Sequence, residues 1–228
     1  WDCPETCELT QLRCADGRDR DSPVIVVKGS AIIVGAGDAL GGAIARRFAR
    51  GGLIAIPSRR KIKPLGELVA QIESEGGEVE GIPCDARDEE AVAAMFERAE
   101  NEIGPVEVFV FNTGAQHRSS ILDMTTRIYR QVRESATLAV FVTGREAARR
   151  MVERGRGTII FTGATASIRG GANFASFASA KHALRALAQS MARELGPKGI
   201  HVGHIIVDGM IDSEAIRTKF PEETEALP

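Results

Sequence analysis

Tyrosine is nearly absent from this chain. Tyr129 is the single tyrosine and Trp1 the single tryptophan in 228 residues, and aromatic side chains make up 5% of the sequence. Any chemistry that needs a phenol therefore has one position to draw on. No apolar run approaches the roughly 18 to 20 residues that a membrane-spanning helix requires. An excess of charge is also lacking: 29 Lys and Arg face 31 Asp and Glu, for a formal net charge of −2. That balance leaves no electrostatic footprint for nucleic acid. Cysteine is scarce and badly spaced for a metal or a disulfide framework, with Cys3, Cys7 and Cys14 at the front and Cys84 far behind. His201 and His204 share no metal-binding spacing with any acid, so no metal is expected. Residues 1–22 mix charge, Cys and Thr without an apolar period and lack the pattern of a signal peptide. They read as a loose polar leader, and a cytoplasmic location is the expectation.

What is present is a globular pattern. The chain is 43% hydrophobic and 26% charged, enough to bury one core over residues 23–228. Short Val- and Ile-rich runs at Ala31–Val34, Leu53–Pro57, Glu78–Ile82, Val106–Phe111, Thr158–Thr162 and His201–Val207 read as strands buried on both faces. Val24–Val27 is a further run, either an edge segment or spurious. Between the runs, apolar stripes recur at helical spacing: Leu65, Leu68, Val69 and Ile72; Val92, Met95, Phe96 and Ala99; Phe177, Ala180, Leu184, Leu187, Met191 and Leu195. Strand and helix in alternation imply right-handed crossovers, hence an α/β doubly wound parallel sheet of Rossmann type with helices on both faces, in one domain.

The first run leads into Gly35, Ala36, Gly37, Asp38, Ala39, Leu40 and Gly41, and then a helix. A strand, a glycine-rich turn and a helix start form a phosphate cradle: free backbone N–H groups and the helix dipole both favour an anion. A site for NAD commonly carries Asp or Glu about 20 residues on, bonded to the ribose 2′-OH. Here the second run ends in Ser58, Arg59, Arg60 and Lys61. Guanidinium groups suit a 2′-phosphate, so NADP is expected over NAD.

With these features in place the chain resembles the short-chain dehydrogenase/reductase family from about Ala31 to Ser213. Val34 to Gly41 is similar to the family's T-G-x-x-x-G-x-G turn, with Ala39 at the middle glycine. Cys84-Asp85-Ala86 stands where the family has the aspartate that bonds the adenine amino group. Asn112-Thr113-Gly114 stands where it has N-A-G beside the cofactor ribose. Asp208-Gly209-Met210-Ile211 stands where it has P-G-x-V, and the resemblance gives the Ile211 backbone to the nicotinamide carboxamide. The resemblance also implies a homodimer or homotetramer through helices near 128–152 and 177–195. Family members usually continue into a further helix and strand, so the end near Pro228 reads as short or truncated.

The departures fall on the active site. The family donates a proton from the tyrosine of Y-x-x-x-K, with a serine thirteen residues earlier and an upstream asparagine. The matching lysine is Lys181, expected to bind the nicotinamide ribose. Phe177 occupies the tyrosine position, Ala164 the serine position and Ala136 the asparagine position. A phenyl ring can neither donate nor accept a proton. Helical geometry turns Ser176 and Ser179 away from residue 177, while Thr165 and Ser167 stand on the loop where a substrate oxygen would bind. Tyr129 is expected on another helix with its hydroxyl at the surface, and His117 in a solvated loop. Two readings follow: an oxidoreductase moving a hydride between NADP(H) and an unidentified carbonyl or alcohol, or a non-catalytic dinucleotide-binding sensor or scaffold.

Overall fold

The computed structural model describes residues 28–114, 116–209, 211 and 217–218. The run at 24–27 and the leader lie outside them. Among the described residues five strands alternate with helices: β1 (Ser30–Val34), α1 (Leu40–Arg50), β2 (Ile54–Ser58), α2 (Ile62–Ser74), α3 (Glu89–Arg98), β3 (Val106–Phe111), α4 (Thr126–Arg133), α5 (Ala139–Arg154), β4 (Gly157–Ala164), α6 (Ala175–Leu195) and β5 (Ile200–Val207). A π-helical segment, Glu134–Leu138, joins α4 to α5 in one long helix. The strands form one parallel sheet in the order β2-β1-β3-β4-β5.

Side chains alternate across the sheet and build a core on each face. Ala31 and Ile33 face Ala45, Ala49, Leu68 and Ile72 of α1 and α2. Ile32, Val34, Phe109, Phe111 and Phe161 face Phe96, Val140, Met151 and Leu184 of α3, α5 and α6. Helix starts are set by local caps: Asp88 accepts from the N–H groups of Glu90 and Ala91, and Thr125 from that of Ile128. Helix α1 has no side-chain cap.

The expected strand at Glu78–Ile82 is corrected by the structure to a single parallel bridge, Ala55 to Val79. The segment does run beside β2: Ala55 N–H donates to Glu78 O, Glu80 N–H to Ala55 O, and Ile82 N–H to Pro57 O. The bond missing from the ladder would need an N–H on Pro57, which proline lacks. Strand β5 also differs from the expectation, since Ile205 and Ile206 are exposed rather than covered on both faces.

The chain leaves β1 in one direction to β2 and returns to the other side of β1 as β3. This reversal opens a crevice beyond the carboxyl ends of β1 and β3, the usual ligand position in such sheets.

Candidate dinucleotide and substrate site

The crevice is built on close backbone approach. Gly35 has φ +84°, and a Cβ there would lie 2.7 Å from Thr113 Oγ1 and 2.9 Å from the Asn112 carbonyl carbon. A Cβ on Gly41 would lie 2.3 Å from Gly35 O. Asn112 Nδ2 donates to Gly35 O at 3.3 Å and ties the turn to the end of β3. Gly37 is different, because a Cβ there would meet nothing within 4 Å. Its small size is therefore not demanded by the fold and leaves room on the crevice side, above the uncapped amides of α1.

Two cavities occupy the crevice. One, of about 510 Å³, is walled by Ser58, Arg59, Arg60, Asp85, Ala86 and Arg87. The other, of about 860 Å³, is walled by Asp38, Ala39, Leu40, Gly41, Ala164, Phe177, Lys181, Gly209 and Ile211. They share Gly35, Gly37, Arg59, Gly114 and Gln116, so one trough runs the length of the site.

At the first end, Ser58 Oγ is buried without a hydrogen-bond partner. Such a group costs free energy unless something supplies one, and Ser58 lines the same cavity as Arg59 and Arg60. Arg59 pairs with Asp38 at 3.2 Å. Arg87 donates to both oxygens of Asp85, at 2.9 and 2.6 Å. That hydrogen bond, opposed by burial and helped by the Arg87 charge and Arg60, holds the Asp85 carboxyl at about 2. Arg87 was not among the sequence candidates. The signal was present, two residues beyond Asp85 in a loop that follows the edge segment.

At the far end, Lys181 is 4% exposed and its ammonium donates to Thr162 O at 2.8 Å. Burial brings its pKa down to about 8. The Phe177 ring centroid is 5.8 Å from Lys181 Nζ. Ala164, Phe177 and Lys181 thus share one wall. Ala136 does not join them, being fully buried against Val132 and Ala180. His117 lines the smaller cavity. Tyr129 is half-buried in α4 with its hydroxyl towards the surface, as expected, where hydrogen bonds with Ser179, then Arg133, lower its pKa. Both partners lie outside the trough, so the lone phenol is unavailable there. Cys84 is buried, which with Asp85 and Asp88 pushes its thiol up to about 11, in keeping with a small hydrophobe. Among the described residues no three His, Cys, Asp or Glu side chains group as a metal site, and no helix is long and apolar enough to cross a membrane.

A five-stranded parallel sheet with a glycine-rich turn at its switch point defines a dinucleotide-binding α/β domain. Comparison with known proteins gives the family. The short chain dehydrogenase family profile matches residues 29–224, and the chain belongs to that family. It is 31% identical over 213 residues to the 3-oxoacyl-[acyl-carrier-protein] reductase MabA of Mycobacterium avium, covering 93% of this chain and 78% of that protein. Among solved structures, a short-chain dehydrogenase from Rhodopseudomonas palustris is 46% identical with a TM-score of 0.75, over 88% of this chain and 92% of the other. A metagenomic short-chain oxidoreductase solved in complex with NADP is 25% identical with a TM-score of 0.75, over 80% of this chain and 83% of the other.

Proposed function

We propose that this chain is an NADP(H)-dependent oxidoreductase acting on a carbonyl or alcohol carbon of a small substrate. The observation that carries the reading is the single trough from Ser58 and Arg60 to Lys181. The dinucleotide, when bound, supplies or accepts the hydride. The turn Gly35–Gly41 and the start of α1 hold its pyrophosphate. Ser58, Arg59 and Arg60 take the 2′-phosphate, with the orphaned Ser58 hydroxyl gaining a partner there. Asp85 and Ala86 border the adenine, and Asn112 and Gly114 the adenosine ribose. Lys181 holds the nicotinamide ribose, while Gly209 and Ile211 offer backbone to the carboxamide. The neighbour solved with NADP supports the choice of cofactor.

The second reading, a dinucleotide sensor or scaffold, rests on Phe177 and Ala164 in the wall. Titrating the protein with NADPH and NADH by fluorescence, then following cofactor absorbance over a broad carbonyl and alcohol panel, separates the readings. Tighter NADPH binding with turnover is expected. Tight binding without turnover favours the sensor, and no binding of either dinucleotide defeats both.

A further inference from the structure

With Phe177 and Ala164 at the hydride end, the question is which described side chains can still take a proton. Ser167 is buried, and its hydroxyl accepts the Ala164 N–H at 3.1 Å. Ser176 is fully buried and is not part of the cavity wall. Ser179 donates to Ser176 O at 3.0 Å and is likewise outside it. Tyr129 is bonded away on α4, and His117 lies at the adenine end. Lys181 donates to Thr162 O and, as an ammonium, has no lone pair with which to take a proton.

Thr165 and Asp208 remain. Strands β4 and β5 stay in register to their last residues, Ala164 opposite Val207. The next residue on each chain is Thr165 and Asp208, and the Thr165 hydroxyl donates to Asp208 Oδ1. Both line the large cavity beside Ala164, Phe177 and Lys181. Asp208 is exposed, so a proton received there has a route to water. The other charged groups lining this cavity are Asp38, which is paired with Arg59, and the cations Lys181, Arg118 and Arg169.

We propose that Thr165 Oγ1 receives the hydroxyl of an alcohol substrate and that Asp208 takes its proton through Thr165, which makes alcohol oxidation the direction this site serves. The substrate O–H breaks as its proton passes to Thr165 Oγ1, whose own proton passes to Asp208 Oδ1. The carbinol hydrogen departs as hydride with both bonding electrons, and C–O becomes C=O. The two-electron oxidant is the oxidised nicotinamide dinucleotide, and Asp208 releases its proton to water. A hydroxyl that both accepts and donates is required at 165, which serine also satisfies.

This assignment rests on the dinucleotide-dependent reading above, and its test keeps the two apart. Full-length wild type, D208N, T165V and T165S are first titrated with NADP+. No binding by the wild type would overturn the reading and the assignment together. With binding in hand, oxidation of a panel of secondary alcohols is expected to fall by about 100-fold or more in D208N and T165V, the usual scale of a lost general base. T165S is expected to stay within about five-fold of wild type, since its hydroxyl is retained. Wild-type rates in D208N or T165V would overturn the assignment. A readout free of turnover uses protein labelled with 13C at aspartate carboxyls, loaded with NADP+ and given 2,2,2-trifluoroethanol. The resonance lost in D208N is expected to shift in wild type and not in T165V. No shift in wild type overturns the assignment, whatever the panel shows.

Discussion

Phe177 and Lys181 stand one helical turn apart on α6, with the ring centroid 5.8 Å from the ammonium nitrogen. Under the proposed function the lysine holds the nicotinamide ribose, and the ring beside it lacks the hydroxyl of a phenol. Restoring that oxygen is a direct test of how much of the usual machinery survives. F177Y with A164S returns a hydroxyl to each position, and general acid catalysis is worth about 10²–10⁴-fold. Carbonyl reduction with NADPH is expected to rise by at least about 10-fold over the parent. An unchanged rate in stopped-flow assays would show that the dinucleotide is not seated against this wall.

Lys181 should also be visible in stability. Its pKa is lowered by burial, from 10.5 to about 8. The folded state therefore sheds this proton before the unfolded state does, and stability rises as pH climbs from about 8 towards 10.5. Below pH 8 the buried charge carries its whole cost, of order 3 kcal/mol at this size of shift. K181M removes that dependence. Urea denaturation of both proteins at pH 7.5 and pH 10 is expected to show the gap between them closing at the higher pH. A constant gap would place the charge in water.

Gly37 and Gly41 should part company on substitution. A Cβ at 41 collides with Gly35 O at 2.3 Å, while one at 37 meets nothing within 4 Å. G41A is expected to cost about 1–3 kcal/mol of stability, as overpacking does. G37V is expected to leave the melting temperature nearly unchanged and to weaken NADPH binding by 10-fold or more, on the order of one lost charge-assisted hydrogen bond. Calorimetry and fluorescence titration check the two halves separately.

The turn after β2 sets the cofactor preference under the proposed function. R60A is expected to weaken NADPH by about 10- to 100-fold, the range of a hydrogen bond to a charged group, and to spare NADH. R59A has a second effect, because Arg59 is the partner of Asp38. Removing it leaves a carboxylate beside the turn, and NADPH should suffer more than in R60A. Equal losses for both dinucleotides in either variant would remove the 2′-phosphate from this turn.

Association through the long helix is the expectation for Leu138 and Phe141, which are 47% and 43% exposed on adjacent turns. L138E with F141E should give a monomer by sedimentation velocity at concentrations where the parent is a dimer or larger. A parent that is monomeric at every concentration would reject the interface.

Much of this architecture was legible before any coordinates. The strand-to-glycine-turn-to-helix order, the cations after β2 and the Lys181 spacing are local or follow from alternation, so one-dimensional pattern carries them. The family resemblance, not pattern alone, set Phe177, Ala164 and Ala136 at the positions of a missing phenol, hydroxyl and amide. Pattern overread Glu78–Ile82, because one missing N–H on Pro57 is a property of the neighbouring strand. Nor could it show that the Tyr129 hydroxyl finds Ser179, on a helix fifty residues further along the chain.

What the sequence by itself determined is a dinucleotide-type fold and the absence of Y-x-x-x-K anywhere in the chain, since a single tyrosine at 129 has Arg133, not lysine, four residues on. Only the tertiary structure decided which polar groups meet. Lys181 on Thr162 O and Thr165 on Asp208 are pairings between separate elements, set by how β4, β5 and α6 pack. Hydrogen bonds form between atoms within about 3 Å. Residues 43 positions apart reach that distance only because a parallel sheet carries both strands to the same end of the molecule.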